Sequence, residues 1–391
     1  MPPHWTPGTR WTPTVALSVV LIAGQWPSLG MARTLAPTAA SAASAMVAVP
    51  FYSPSDAVRG LVRHHTPALA QAFEQQAQDF ATQVSAACAS SSSPSSTALL
   101  APWQATMSAW EALATPAIGS VLQRRSQRQL DSGPVRLHLL QKAMSSTPTQ
   151  LADLERVAVM AKGLPAMEHL LRTPSLWTQA SACAYLSLLA QELWQEAQHL
   201  NAEAQAQARL SVATSDEELD ASSASAIQLK AQYVEWLNQW LGGVERLRWA
   251  QLEKPIRTAQ TAGHRAAPVF ARGARAANLQ SWRSQWQSLL ALGRMNATQR
   301  LHPPAPGAGV VSIEALLRGQ GHIQVADRWG QTLDVVSTRL QALPARAPNA
   351  AQEEAQLLAV AAALKAVTAL FQQEVATALD IPLGFSDADG D

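Results

Sequence analysis

The stretch SDAVRGLVRHHTPALAQAFEQQAQDFATQV, residues 55–84, carries large apolar side chains at the spacing of one helix face. An α-helix has about 3.6 residues per turn, so apolar positions three, four or seven apart lie on the same side. The recurring apolar residues are Val58, Leu61, Val62, Leu69, Phe73, Phe80 and Val84. This pattern predicts a long amphipathic helix that buries one face against other helices.

Similar patterns recur along the chain between polar or Pro-rich breaks. They predict helices over residues 97–118, 175–210, 229–241, 278–296, 312–317, 323–340 and 351–379, with a break around Pro255. Ala, Leu and Gln favour helices, whereas runs of Val, Ile and Tyr that are typical of strands are nearly absent. The predicted fold class is therefore all-α, with the helices packed as bundles.

Overall composition excludes some classes of protein. The 391 residues are 48% hydrophobic and 15% charged, which indicates a folded chain rather than a disordered one. The net charge is only +1 and basic residues are not clustered, so nothing indicates nucleic-acid binding.

The N-terminal region has the pattern of a signal peptide. VALSVVLIAG, residues 15–24, is an apolar run that is too short to cross a bilayer comfortably. We expect residues 1–32 to be a cleaved signal peptide and residues 33–54 an Ala-, Ser- and Pro-rich linker. The processed protein would then be exported and have no stable transmembrane segment. A short N-terminal anchor is the alternative.

The chain has 2 cysteines, Cys88 and Cys183. In an exported protein such a pair can form a disulfide, because the compartment is oxidising. Their spacing does not show whether they meet, so a disulfide and two buried thiols are both possible.

The stretch MAKGLPAMEHLLRTP, residues 160–174, is the first candidate for a functional site. Glu168 could bind a metal ion, but the residue three positions earlier, which would share its helix face, is Pro165 and has no donor atom. His169 points about 100° away around the helix. The alternative is a helix start, with Pro165 in the first turn and the Glu168 carboxylate favoured by the N-terminus of its own helix.

A second candidate is the Glu-x-x-His pair formed by Glu196 and His199. Two such pairs are found in di-metal helical bundles, but no second pair occurs in this chain. A solvated, Gln-rich helix face is therefore the favoured interpretation. The acidic end of the chain, with Asp387, Asp389 and Asp391, resembles only the beginning of a calcium loop.

The 13 tryptophans include two pairs four residues apart, Trp236 with Trp240 and Trp282 with Trp286. Residues at this spacing share a helix face, so each pair could line a ligand groove or pack in a core. We favour packing in a core. No clear internal repeat is visible in the sequence.

Several stretches together resemble the imelysin family of exported helical proteins, and its periplasmic branch in particular. They are PWQATMSAWEALATPAIGSVLQRRSQRQLDSGPVR, KGLPAMEHLL, CAYLSLLAQEL, LEKPI, NLQSWRSQWQSLLAL and LGFSDADGD. The resemblance covers residues 55–391. It implies two packed helical bundles that arose by duplication, and we place their boundary near residues 211–225. It also favours a disulfide between Cys88 and Cys183, joining the first bundle helix to the helix that follows the motif.

The family is associated with bacterial iron acquisition and includes metallopeptidases whose hallmark is Gly-x-His-x-x-Glu. Here Gly163 and Glu168 match the Gly and the Glu, whereas Pro165 occupies the His position. We therefore expect an exported, non-catalytic protein that acts in the uptake of iron or another metal with iron-uptake components of the cell envelope.

The alternatives are a zinc-type peptidase that uses Glu168, with Glu196 and His199 as further ligands, and an envelope interaction scaffold. A bound metal would be iron or zinc. The cleft between the bundles near residues 163–168 is the expected functional surface.

Overall fold

A computed structural model describes residues 47–89, 96–177, 179–213, 224–263, 267–346 and 349–383. Within these ranges the regular structure is helical and no strand occurs, which confirms the predicted all-α class. The predicted signal peptide, most of the linker and the acidic end at Asp387–Asp391 lie outside the described residues.

The helices fall into two series along the chain. The first comprises α1 (Pro54–Gly60), α2 (Thr66–Ala89), α3 (Leu100–Ala114), α4 (Ser120–Gln123), α5 (Ser126–Leu130), α6 (Leu137–Ser145), α7 (Gly163–Arg172), α8 (Pro174–Trp177) and α9 (Ala180–Ala213). The second comprises α10 (Ala224–Arg246), α11 (Lys254–Thr261), α12 (Arg275–Gly293), α13 (Ala297–Leu301), α14 (Ile313–Gly319), α15 (Ile323–Ala342), α16 (Ala350–Leu370) and α17 (Ala376–Ala378).

The predicted break near Pro255 falls later in the chain, because α11 ends at Thr261 and not at the proline. A π-helical segment, Leu247–Glu253, joins α10 directly to α11, and Pro255 lies in the first turn of α11. Proline lacks an N–H and normally interrupts a helix, and here it lies just after the π-helical segment, where the hydrogen-bond pattern of the helix changes. The helix therefore continues through a residue that usually interrupts one.

The first core is formed mainly by α2, α3, α7 and α9. Its largest side chains, Phe73, Phe80, Trp103 and Trp110, are each at most 1% exposed. Burying a large apolar side chain contributes about 1.5–3 kcal/mol, so this cluster holds the four helices together. The indole Nε1 of Trp103 also donates to the backbone oxygen of Leu164 at 3.2 Å, which attaches the start of α7 to the core.

A disulfide between Cys88 and Cys183 joins α2 to α9, as the family resemblance implied. Their Cα atoms are 5.7 Å apart, and the two residues are separated by 95 positions in the chain. Closing a loop of this size restricts the unfolded chain and stabilises the fold by about 4–5 kcal/mol in the chain-entropy description. The disulfide lies within the first bundle.

The second core is formed by α1, α10, α12, α14, α15 and α16. The rings of Trp240, Trp329 and Phe371 pack together, with centroids 5.2 to 6.0 Å apart. Trp236, Trp240, Trp282 and Trp286 are all at most 1% exposed, so the predicted role of these tryptophans in a core is confirmed.

The segment Ala350–Ala378 has the length and composition that could cross a membrane, with a mean hydropathy of 1.5 in its most apolar window. In this structure it contributes Leu357, Leu364 and Phe371 to the second core, each at most 1% exposed. Its apolar character is therefore used in packing against other helices.

The two cores meet along α3 and α12, and this contact is polar. Gln280 Nε2 donates to Ser108 Oγ at 2.7 Å, and Ser288 Oγ donates to the backbone oxygen of Ala112 at 2.6 Å. The predicted boundary near residues 211–225 stays a prediction, because residues 214–223 lie outside the described part of the chain. The duplication of the bundles also stays a prediction.

Candidate functional site

Helix α7 begins at a position that only glycine fits well. Gly163 has φ +68°, a backbone conformation that other residues rarely adopt, and a Cβ here would lie 2.3 Å from the backbone oxygen of Leu130. Pro165 follows in the first turn, where a missing N–H has little cost. The Gly and Pro of the motif thus set the start and direction of the helix that carries Glu168.

Glu168 is only 2% exposed, and its two carboxylate oxygens have separate partners. Arg172 Nε donates to Oε1 at 2.8 Å, and the backbone N–H of Gly273 donates to Oε2 at 2.8 Å. The predicted helix start with Pro165 in the first turn is present, but these hydrogen bonds to the carboxylate do not come from the N-terminus of α7. The backbone donor instead comes from a segment 105 residues later in the chain.

A cavity of about 910 Å³ lies beside Glu168, between the side chains of the two cores. Pro165, Glu168, His169 and Arg172 line it from α7. Apolar side chains that line it from later in the chain include Ile256, Val269, Phe270, Trp282 and Leu357. Burial lowers the pKa of His169, and the neighbouring Glu168 partly opposes this shift, so His169 is a neutral wall residue at pH 7.

The segment 267–274, which precedes α12, connects this cavity to a buried ion-pair network. Arg272, which is 3% exposed, pairs with Glu111 of α3 and with Asp131. Asn278 holds the backbone of Arg272 through hydrogen bonds at 3.0 Å to its N–H and 2.9 Å to its oxygen. These contacts fix the neighbouring Gly273, whose N–H then points at Glu168.

Two residues of this network, Glu111 and Arg272, have shifted pKa values. Burial raises the pKa of Glu111, against the opposing effect of the Arg272 guanidinium. Burial also disfavours the charged form of Arg272, but Asp131 and Glu111 outweigh it and the pKa of Arg272 is raised. Arg272 therefore stays charged and joins α3 of the first core to the segment that leads into the second.

The two residues of the Glu-x-x-His pair differ in burial, although both were expected on a solvated helix face. Glu196 is 7% exposed and accepts from Arg124 at 2.9 and 2.7 Å and from Ser126 Oγ at 2.7 Å. Its interpretation as part of a solvated face is wrong, because Arg124 and Ser126 cover this carboxylate. His199, by contrast, is exposed.

Glu168, Glu196 and His199 are not brought together as ligands. Glu168 pairs with Arg172 and Glu196 pairs with Arg124, on separate helices. Across the described residues, no group of three or more His, Cys, Asp or Glu side chains is placed to hold one metal ion. The assignment of these residues as metal ligands stays a prediction.

The family model described as Imelysin matches residues 65–375. The chain belongs to the imelysin family. No curated protein matches it. Solved structures that share the fold include the following two. An imelysin-like protein from Psychrobacter arcticum has a TM-score of 0.62 and 16% identity, and the match covers 87% of this chain and 100% of that one. A candidate iron-regulated protein A precursor from Parabacteroides distasonis has a TM-score of 0.59 and 14% identity, covering 81% and 95%.

The imelysin resemblance also implies a metallopeptidase centre, and the residues of this chain do not fit one. A hydrolytic zinc ion normally has three protein ligands and an open position for water. Pro165 supplies no donor atom at the His position of the motif, and both oxygens of Glu168 already accept hydrogen bonds. No ligand set for zinc is therefore formed around Glu168 in the described residues.

The sequence interpretation missed Arg172, Arg272 and Arg275 as parts of the site. Arg275 lines the cavity beside its ion-pair partner Glu353. A usable signal was the segment ARGAR, residues 271–275, which places two arginines around a glycine in a chain with 15% charged residues. Two arginines this close together in a weakly charged sequence indicate that each forms an ion pair with a specific acidic side chain.

Proposed function

We propose that this imelysin-family chain is an exported, non-catalytic binding protein of the periplasm that acts in the uptake of iron or another metal. The cavity beside Glu168 is the proposed binding site. The observation that carries the proposal is the location and hydrogen bonding of the Glu168 carboxylate. It is buried against a large cavity, yet it is bound to Arg172 and Gly273 rather than available as a catalytic base.

Export is supported by two independent features. Residues 15–24 have the apolar composition of a signal-peptide core. The Cys88–Cys183 disulfide fits an oxidising compartment, since reducing cytosol disfavours such bonds. The name of the Parabacteroides neighbour supports the link to iron, although that protein shares only 14% identity with this chain.

The test of uptake is cellular. A strain that lacks the gene should accumulate less iron under iron limitation, and the full-length chain should restore accumulation. A chain without residues 1–32 is the matched control, because it should stay in the cytoplasm and fail to restore uptake. Equal metal content in the deletion and parent strains, measured for iron, zinc and manganese, would remove support for the proposal.

The peptidase alternative has a direct assay. Purified protein with added zinc should not cleave an unfolded protein substrate above the level of a Glu168→Gln variant. Chelator-sensitive cleavage that is lost in Glu168→Gln would favour the enzyme over the binding protein.

A further inference from the structure

The cavity beside Glu168 contains buried hydrogen-bond donors that have no partner. Trp282 is 1% exposed, and its indole Nε1 makes no hydrogen bond to the described part of the chain. The Nε atoms of Arg272 and Arg275, two other residues of the wall, are also buried and unpaired. On the described side chains of this wall, every buried unpaired polar atom is an N–H and none is an acceptor.

Buried donors without partners are unfavourable, because folding removes them from water and returns no hydrogen bond. A ligand that brings oxygen acceptors into the cavity would remove this cost. Guanidinium groups prefer anionic oxygens, since charge-assisted hydrogen bonds are the stronger kind. The unpaired atoms of the wall therefore favour a ligand with a negatively charged oxygen group.

A bare metal cation fits the same wall poorly. Glu168 already accepts from Arg172 and Gly273, and Glu353 pairs with Arg275. A cation would have to displace an arginine from each carboxylate and would then lie close to two guanidinium groups. Glu354 is a third carboxylate of the wall, so the formal charges balance, and the preference for an anion rests on the unpaired N–H donors.

The rest of the wall favours a ligand with an apolar body. Phe270 and Trp282 pack edge to face, with ring centroids 5.4 Å apart, and Ile256 and Leu357 lie on the same wall. A volume of about 910 Å³ falls within the range of about 300–1,000 Å³ that is usual for small-molecule sites. Apolar walls with a few polar groups are typical of sites that bind organic molecules.

We propose that the cavity binds an organic anion, with an aromatic or otherwise apolar body and carboxylate or catecholate oxygens directed at Arg275 and Trp282. A metal ion then enters as the cargo of such an anion and not as a bare ion. This inference rests on the proposed binding function and specifies the chemical class of its ligand.

The experiment is calorimetry of the purified mature protein with three titrants: 2,3-dihydroxybenzoate, its ferric complex and zinc chloride. The first two should release heat of binding and zinc chloride should not. In Trp282→Phe the affinity for the anion should fall about tenfold, since a lost hydrogen bond to a charged group corresponds to about that factor. Arg275→Gln should weaken binding at least as much.

Trp286→Phe is the matched control. Trp286 lies on the same helix, is equally buried, and donates through Nε1 to Ser337 Oγ at 2.9 Å outside the cavity wall. The Trp286→Phe variant should bind the anion with the same affinity as the parent protein. If Trp282→Phe fails to fold, as judged by circular dichroism, Arg275→Gln carries the test.

The outcomes separate this inference from the proposed function. Zinc binding without anion binding overturns the inference but leaves metal binding intact. Anion binding that is unchanged in both Trp282→Phe and Arg275→Gln places the anion elsewhere and also overturns it. Binding of the free anion but not of its ferric complex supports the ligand class and removes support for metal uptake. No binding of any titrant contradicts both proposals.

Discussion

Helices α7 and α14 each carry a buried glutamate that pairs with an arginine four residues later, but the surroundings of the two glutamates differ. Their sequences, MEHLLR at residues 167–172 and IEALLR at residues 313–318, share a Glu, two leucines and an Arg at equal spacing. Glu168 accepts from Arg172 at 2.8 Å and Glu314 accepts from Arg318 at 3.0 Å. Each Glu also accepts a backbone N–H, from Gly273 at 2.8 Å and from Met295 at 3.0 Å.

The difference lies in what surrounds each carboxylate. Glu314 is 1% exposed, and Arg294, Arg300 and Arg318 approach it within 3.7 Å. Among the described residues Glu168 has a single arginine partner, and it faces the cavity of about 910 Å³. We infer that the α14 arrangement serves stability, whereas the α7 arrangement keeps its charged groups at a surface that a ligand can reach.

The largest expected effect comes from the disulfide, which is present in the first bundle and should make its stability differ from that of the second. Replacing both cysteines, Cys88→Ser with Cys183→Ser, should lower the free energy of unfolding by about 4 kcal/mol, because the loop between α2 and α9 is no longer closed. Hydrogen exchange should show the loss of protection first in α2 and α9, with α15 and α16 less affected. Equal loss in both bundles would mean that they unfold as one unit.

The second effect compares the two carboxylates. Glu314→Gln should cost about 3 kcal/mol, since it leaves three arginines around a neutral side chain. Glu168→Gln should cost less, about 1.5 kcal/mol, because the Arg172 side chain is 28% exposed and can bind water. Urea denaturation measures both. A larger loss in Glu168→Gln would reverse the assignment of the stabilising site.

The third effect concerns how each helix begins. Gly163→Ala should destabilise the protein by about 2–3 kcal/mol, because Ala is strained at positive φ and its Cβ would collide with Leu130. Ser312, whose hydroxyl accepts the Ala315 N–H at 3.2 Å, caps α14, and Ser312→Ala should cost about 1 kcal/mol. Thermal melts of both variants test the order. Similar melting temperatures would show that the Leu130 segment moves away.

The smallest effect is a pH dependence present only at α7, because Ala315 occupies the position in α14 that corresponds to His169. Burial lowers the pKa of His169 in the folded protein, so the unfolded chain binds a proton on this side chain more readily than the folded protein does. Its stabilising contribution is present above the unfolded pKa of about 6.5 and is lost as pH falls below it. His169→Ala should lose less stability than the parent between pH 7 and pH 5. An identical pH profile would show that His169 is solvated.

Much of the fold could be predicted because helices depend on local spacing. The apolar period over residues 55–84 and the tryptophan pairs both predicted buried faces, and the structure buries Phe73 and Trp240 completely. The helix does not end at Pro255, because a π-helical segment precedes this proline and the helix continues to Thr261. The similarity of MEHLLR and IEALLR was overlooked because a pattern of this length becomes informative only once both glutamates are seen to be buried.

The candidate site was predicted only in part. The motif around Gly163, Pro165 and Glu168 could be located, and the absence of a His at Pro165 indicated a weakened metal site. The cavity wall contributed by Arg275 and Trp282 could not be deduced, since these residues lie more than 100 positions away in the sequence. Spacing along a helix specifies neighbours within that helix but not partners from another bundle.

The sequence by itself determined the helical class, the cysteine pair available for a disulfide and the lack of a donor atom at Pro165, because each depends on residue type and local period. Only the tertiary structure decided that Glu168 binds the N–H of Gly273, that Glu196 is covered by Arg124, and that unpaired N–H groups gather at one cavity. The physical reason is that a buried charge takes its partner from whichever segment packs against it, and that choice belongs to the packing of the whole chain.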